Sequence, residues 1–413
     1  MIQAVKGMRD ILPPASAVWN EVEAAARQVF HRFNYREIRT PLLEETSLFA
    51  RGVGEETDIV SKEMYTFDDH GSSLTLRPEN TASVLRAYVE HRLDQQPGLQ
   101  KLYYIGPMFR RERPQKGRYR QFFQIGAEAI GADSPAVDAE AIELAVAVLE
   151  AAGISGFDLL INSVGSKESR AKYNDALRAE LKEVAPTMCE DCRRRAETNP
   201  LRVLDCKVPA DQPIIEKLPS ILDFLDSDDK EHFRRVREFL DDRGIKYTVK
   251  PRLVRGLDYY MRTTFEITHG ALGAQNAILG GGRYDGLAET IGSKVPAPGI
   301  GFSIGEDRLV MAVEEAGAAK NAVLDLYIAP MGDTALRHCA VLAGEIRKLN
   351  LSVEVGTDRK LKRMLELANK LEARFTLILG DNEIVSQAYS LKNMATGEQE
   401  TLSRAALLDR LKK

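Results

Sequence analysis

Cysteine is scarce in this chain, with 4 in 413 residues. That is too few for the disulfide framework of a small secreted domain, so a reducing compartment is expected. An excess of one charge is missing as well. The 57 basic residues stand against 61 acidic ones, for a net charge of −4, which excludes a surface that binds polyanions everywhere and leaves local basic patches for that purpose. No apolar run approaches the length of a membrane span, and Met1 to Gly7 lacks the apolar core of a signal peptide. The expectation is a cytoplasmic protein without membrane contact. At 44% apolar and 29% charged, the composition is that of an ordinary soluble protein, and its length asks for two or three domains.

What is abundant is local. Residues 102–130 read as two strands around a loop that carries Arg110, Arg111, Arg113, Lys116, Arg118 and Arg120. On the second strand Phe122, Gln124 and Glu128 share one face, while Phe123, Ile125, Ala127 and Ala129 take the other. A half-solvated hairpin would account for the polar face. It would not account for six cations on one turn, which repel one another unless a polyanion offsets them. Arginine suits phosphate because its planar fork binds two oxygens at once, so the stretch points to a phosphate-bearing ligand.

Phe109-Arg110-Arg111-Glu112, a short loop, then Arg118 and Phe122 resemble motif 2 of the class II aminoacyl-tRNA synthetases, and the run from Arg113 to Phe122 is similar to its histidyl version. Other stretches fit the same family. A helix over 16–33, followed by a strand within Phe33 to Glu44 that ends at proline, resembles motif 1, which implies a homodimer interface. Leu74 to Thr81 reads as a strand stopping at Pro78, with Pro78 and Glu79 opening a helix that runs to about Arg92. Helix-start chemistry alone explains an acid there; the resemblance to the family's Leu-Arg-Pro-Glu-x-Thr stretch adds an ammonium-binding role for Glu79 and Thr81. Leu253 to Tyr260 and Ile278 to Leu287, both read as strands, resemble the two histidyl signatures. Gly299 to Val310 is a glycine-spaced strand entering a helix and is similar to motif 3, with Arg308 as its arginine. Glycine at every second position leaves one strand face bare, either for a flat ligand or for tight sheet packing.

Residues 50–70 read as a loop, and 167–246 as a charged helical insertion. The insertion holds Cys189, Cys192 and Cys206. A structural zinc needs four ligands; no second cysteine pair follows, Cys339 is distant, and His232 has no supporting spacing. Three reduced cysteines are therefore expected, with neither zinc nor another tightly bound cofactor. Arg193-Arg194-Arg195 reads as a solvated helix face. After a linker near 317–321, strand 323–329, helix 334–349, strand 352–355, helix 359–371 and strand 375–379 alternate as in a small α/β domain. It resembles the anticodon-binding domain of the histidyl, prolyl, threonyl and glycyl enzymes, and Arg359, Lys360, Lys362 and Arg363 give one of its helices a basic start.

The predicted fold is α+β. An antiparallel-sheet catalytic core covers residues 1–166 and 247–317, the helical insertion 167–246, and a C-terminal α/β anticodon-binding domain 323–413. The resemblance implies that ATP, accompanied by Mg²⁺, is joined to histidine and that the histidyl group passes to tRNA(His). It implies Arg110 and Arg255 as catalytic groups across the α-phosphate, Arg118 and Arg308 on the outer phosphates, Glu112 among the ATP contacts, and Phe122 stacked on adenine. Glu79, Thr81 and Gln124 would take histidine's ammonium and backbone, Glu128 and Tyr260 its ring, and Tyr284 would close the pocket. Two other readings stay open: a non-catalytic regulatory paralogue serving histidine biosynthesis, and a synthetase for another amino acid of the subclass. Intact signatures weigh against both, and the terminal domain against the first.

Overall fold

The protein, seen here in a computed structural model that describes residues 2–55, 57–318, 324–358 and 360–412, forms two compact units, Met1–Ala319 and Lys320–Lys413. The first is built on an eight-stranded sheet. From edge to edge its strands are Arg36–Glu37, Gln100–Phe109, Gln121–Ile130, Gly299–Gly305, Ala277–Arg283, Met261–Thr268, Asp158–Ser163 and Thr248–Val249. The six central strands pair antiparallel, and only the two short edge strands pair parallel.

Alternation along Gln121–Ile130 decides what each face of this sheet does. Ile125, Ala127 and Ala129 join a core with Ile300, Phe302 and Ile304 from the next strand and with two helices, Ala15–Arg32 and Pro135–Ala151. The first helix contributes Val18, Trp19, Val22, Ala26, Val29 and Phe30, a stripe at helical spacing. Both Gln124 and Glu128 leave from the opposite face and are nonetheless buried, because the chain folds back over that side.

Several expectations need correcting. Leu253 to Tyr260 is not a strand but an irregular crossing. Side chains take the carbonyls a ladder would use: Asn162 Nδ2 donates to Pro251 O at 3.1 Å and Leu253 O at 3.0 Å, and Arg170 Nη1 to Asp258 O at 3.2 Å and Tyr260 O at 2.8 Å. Residues 50–70 are not simply loop. They hold the end of helix Thr46–Val53, a π-helical turn Ile59–Glu63, and strand Tyr65–Asp69, which forms a three-stranded sheet with Ser72–Leu76 and Leu43–Glu45. The motif 1 strand is divided between two sheets, as Arg36–Glu37 and Leu43–Glu45. The helix after Pro78 begins at Thr81 and ends at Glu90, so Pro78 and Glu79 precede it.

Between Lys167 and Asp242 the chain is largely helical, in Lys167–Val184, Glu190–Thr198 and Ser227–Asp242, with short 3-10 turns and one α-helical turn, Gln212–Ile215, between them. Helix Ser227–Asp242 meets the core through a buried polar knot. Asp138 accepts from His232 Nε2 at 2.8 Å, from Thr263 Oγ1 at 2.5 Å and from Arg283 Nε at 3.0 Å. Both Asp138 and Arg283 are fully buried.

The second unit has a five-stranded sheet ordered Val353–Val355, Leu326–Met331, Phe375–Gly380, Ala388–Asn393 and Gln399–Ser403. Its first three strands are parallel and its last two antiparallel, with helices Asp333–Arg347 and Leu361–Lys370 among its connections and Arg404–Leu411 after its last strand. The last hairpin and helix had no counterpart in the sequence reading. Val323 and Arg359 lie outside the described residues.

Candidate active site

Over the polar face of the large sheet lies a cavity of about 950 Å³, at the upper end of the usual range for small-molecule sites. The sequence reading named twelve residues. Eleven line this cavity: Glu79, Thr81, Arg110, Glu112, Arg118, Phe122, Gln124, Arg255, Tyr260, Tyr284 and Arg308. The twelfth, Glu128, stands directly behind the wall, accepting from Thr81 Oγ1 at 2.8 Å and from Tyr284 Oη at 2.7 Å.

One end of the cavity is cationic. The Arg110 guanidinium is fixed by Nε donating to Pro78 O at 2.8 Å, and it lies over the Phe122 ring, 5.1 Å from its centroid. Arg118 pairs with Glu112 at 2.5 Å, and Glu112 is 3.8 Å from Arg110. Thus one carboxylate holds two of the loop's arginines apart. Arg308 is anchored from helix Glu306–Glu315 by Nε on Gly117 O at 3.2 Å and Nη1 on Ala277 O at 2.7 Å, while Arg255 pairs with Glu266. Arg111, Arg113 and Lys116 point to solvent. Burial, with Arg118 and Arg110 close by, lowers the pKa of Arg308, so an anion bound beside it would be favoured.

The other end is a buried array of hydroxyls and carboxyls. Glu79 accepts Thr81 N at 2.8 Å and Ala82 N at 2.9 Å, capping the first turn of the helix that follows, and Tyr259 Oη reaches it at 3.4 Å. Burial pushes Glu79 up from the usual carboxylate range. Burial also drives Glu128 up to about 8, against the lowering effect of its bonds from Tyr284 and Thr81. The amide oxygen of Gln124 is buried without a hydrogen-bond partner among the described residues, so an acceptor is available in the wall for an incoming donor.

Glycines on two neighbouring strands make room for side chains of the site. A β-carbon at Gly280 would stand 1.9 Å from Arg255 Nη2, and one at Gly301 1.7 Å from Glu128 Oε2. Their bare faces receive the site's own side chains, an instance of the close packing left open above, and Gly280, Gly301 and Gly305 also line the cavity.

Other lining residues escaped the sequence reading. Tyr259 was hidden beside Tyr260 in the same signature. Of the Arg193-Arg194-Arg195 run expected on a solvated face, only Arg193 and Arg194 are exposed. Arg195 turns inward to Asp58 at 3.1 Å, and Asn199 Nδ2 donates to Asp258 Oδ1 at 3.1 Å. Only the alternation of exposed and inward arginines on a short helix would have signalled this, and a run of three conceals it.

A family model described as histidyl-tRNA synthetase matches residues 7–309, and one described as an anticodon binding domain matches 325–413. A histidine–tRNA ligase of Solibacter usitatus is 68% identical over 412 residues, covering 100% of this chain and 99% of that one. Among solved structures, apo histidyl-tRNA synthetase of S. aureus superposes with a TM-score of 0.83 at 40% identity, covering 100% of both chains. An ATP phosphoribosyltransferase regulatory subunit/histidyl-tRNA synthetase from Bacillus halodurans, 22% identical with a TM-score of 0.68 over 92% of this chain and 98% of that one, shares the fold.

Proposed function

Because the chain belongs to the histidyl-tRNA synthetase family and is a ligase that uses ATP to attach histidine to tRNA, we propose that the cavity over the polar sheet face is where histidine and ATP react, with its two ends divided between them. The observation that carries this is the convergence on one cavity of residues drawn from five separate stretches of chain.

At the cationic end Arg110 and Arg255 flank the α-phosphate of ATP, which enters as its Mg²⁺ complex, and Arg118 and Arg308 take the outer phosphates, with Glu112 keeping the loop arginines in position. Phe122 offers adenine the ring face that Arg110 does not cover. At the other end Glu79, Thr81 and Gln124 receive the ammonium and backbone of histidine. Each oxygen of Glu128 accepts one bond from within the protein and, when ionised, keeps a lone pair for an imidazole N–H. Tyr260 takes the other side of the ring, and Tyr284 closes the pocket while orienting Glu128.

In the first step an oxygen of histidine's carboxylate attacks the α-phosphorus and pyrophosphate leaves. Charge develops on the non-bridging oxygens between Arg110 and Arg255, where fixed guanidinium groups stabilise it without reorganising. In the second step a hydroxyl of the tRNA's terminal ribose attacks the acyl carbonyl and AMP departs. Buried polar partners discriminate strongly, because an analogue without ring nitrogens leaves them unpaired. The C-terminal unit is proposed to bind the anticodon, and the protein to act as a homodimer; the exposed Leu43 and Phe67 on the small three-stranded sheet, with Leu42 just before it, support a covered face there.

Pyrophosphate exchange into ATP, measured with each amino acid in turn, tests the reading. Exchange with histidine alone is expected. Exchange driven by another amino acid, or none at all, would overturn it, the latter in favour of the regulatory alternative.

A further inference from the structure

We propose that Cys189, Cys192, Cys206 and Asp211 form a closed tetrahedral site for one structural zinc ion, which fastens the segment carrying Arg195, Asn199 and Arg202 to the wall of the catalytic cavity. The expectation of three unliganded cysteines rested on the lack of a fourth ligand at a recognisable spacing. The fold supplies that ligand from a 3-10 turn, Pro209–Asp211.

The four ligand atoms lie within 4.8 Å of one another. Zinc–thiolate bonds of about 2.3 Å set tetrahedral edges of about 3.8 Å, and Cys189 Sγ is 3.9 Å from Cys206 Sγ. Cys206 Sγ is 3.3 Å from Asp211 Oδ2, where a shorter zinc–oxygen bond shortens the edge. Cys192, Cys206 and Asp211 are buried and Cys189 half-buried, as in a closed structural site.

A second observation comes from Asp211 itself. This carboxylate is 3% exposed, and its contacts are the Cys189 N–H at 3.2 Å and the Cys206 thiol, with no lysine or arginine paired to it among the described residues. A buried carboxylate facing three sulfurs is costly unless a cation joins it. Backbone donors already surround the set: Val208 N donates to Cys206 Sγ at 3.4 Å, and Cys189 caps helix Glu190–Thr198, whose first turn holds Cys192.

The site stands at the base of the segment that reaches the cavity. Arg195 bonds Asp58, Asn199 bonds Asp258, and Arg202 lies 3.4 Å from Asp205; Asp58, Arg195, Arg202 and Asp205 all line the cavity. Cross-linking both ends of this run, a short helix followed by 3-10 turns, would hold the wall in place.

The test is the metal content of the full-length enzyme purified without chelator or added metal, read by mass spectrometry beside a count of reactive thiols. The proposal expects close to one zinc per chain, with only Cys339 outside the set. Zinc should be lost in Asp211→Asn and Cys206→Ser, and Cys189→Ser, at the half-buried edge, serves as the variant that keeps the fold. Cobalt added to the stripped enzyme should give the visible bands of a tetrahedral thiolate site. Stripping should lower histidine-dependent pyrophosphate exchange severalfold, with recovery on adding zinc alone. Enzyme that contains no zinc and, once reduced, takes up neither zinc nor cobalt in competition with a chromophoric chelator would overturn the proposal, as would a Cys189–Cys206 disulfide in freshly purified protein.

Discussion

Gly301 and Glu128 face each other across two antiparallel strands, and a β-carbon on the glycine would lie 1.7 Å from the carboxylate oxygen that Tyr284 holds. The neighbouring Ala127 carbonyl, at 2.6 Å from the same β-carbon, blocks relief by a backbone shift. Gly301→Ala should therefore displace Glu128 and cost about 1–3 kcal/mol of stability, the usual range for overpacking. The variant should keep ATP binding while its KM for histidine rises tenfold or more, on the order of one lost charge-assisted hydrogen bond. Steady-state exchange kinetics with each substrate varied would check this.

Glu128→Gln keeps the shape and removes the charge. Histidine use should fall about tenfold or more, with ATP binding unchanged; unaltered histidine affinity would take Glu128 out of ring recognition. Stability offers a second readout. Because burial raises the folded pKa of Glu128 to about 8, the folded state holds a proton that the unfolded chain has released above its ordinary carboxylate value. This group's contribution is full below about pH 4.5 and declines by about 1.4 kcal/mol per unit until about pH 8. Glu128→Gln should remove that slope from urea-unfolding free energies of the ligand-free protein.

Asp138→Ala takes one of two paired carboxylates from the fully buried Arg283, leaving Asp285 at 2.8 Å, and breaks the link to His232, so a loss of about 1–3 kcal/mol is expected. Burial acts to raise the Asp138 carboxyl, but Arg283 and His232 more than reverse it, holding it below the usual range. Its stabilisation is therefore present above the ordinary carboxylate pKa and is lost as pH falls through the depressed folded value. Urea titrations at neutral and acid pH would show the wild-type advantage shrinking in acid; an equal gap at both would contradict the assignment.

Removing residues 320–413 takes away the second compact unit. Histidine-dependent pyrophosphate exchange should persist in a truncation that circular dichroism shows to be folded. The tRNA concentration needed for charging should rise sharply, and tRNA binding should depend less steeply on salt because phosphate contacts are gone. Undiminished charging of tRNA by the truncated chain would give the unit another role.

The site was legible in the sequence where side-chain chemistry is concentrated. The arginine-rich hairpin, the polar face of its second strand and the arginine after the glycine-spaced strand all reach one cavity. What the sequence concealed depends on irregular backbone. Leu253 to Tyr260 has the apolar and aromatic content of a strand, but Asn162 and Arg170, distant in sequence, take its carbonyls. The π-helical turn at Ile59–Glu63 is too short to show a period. Asp211 joins the three cysteines through 3-10 turns whose spacing matches no common ligand pattern. The glycines were noticed for what they leave open, yet their neighbours became visible only with the register between strands.

Arg255, held over Gly280 and paired with Glu266, is proposed to stabilise the α-phosphate during histidine activation. Single-turnover formation of histidyl-adenylate by Arg255→His, with histidine and ATP both saturating, tests it most directly. The rate is expected to fall by about a hundredfold or more, the scale of losing one preorganised donor, with histidine affinity little changed. A near-normal rate in the folded variant would contradict it.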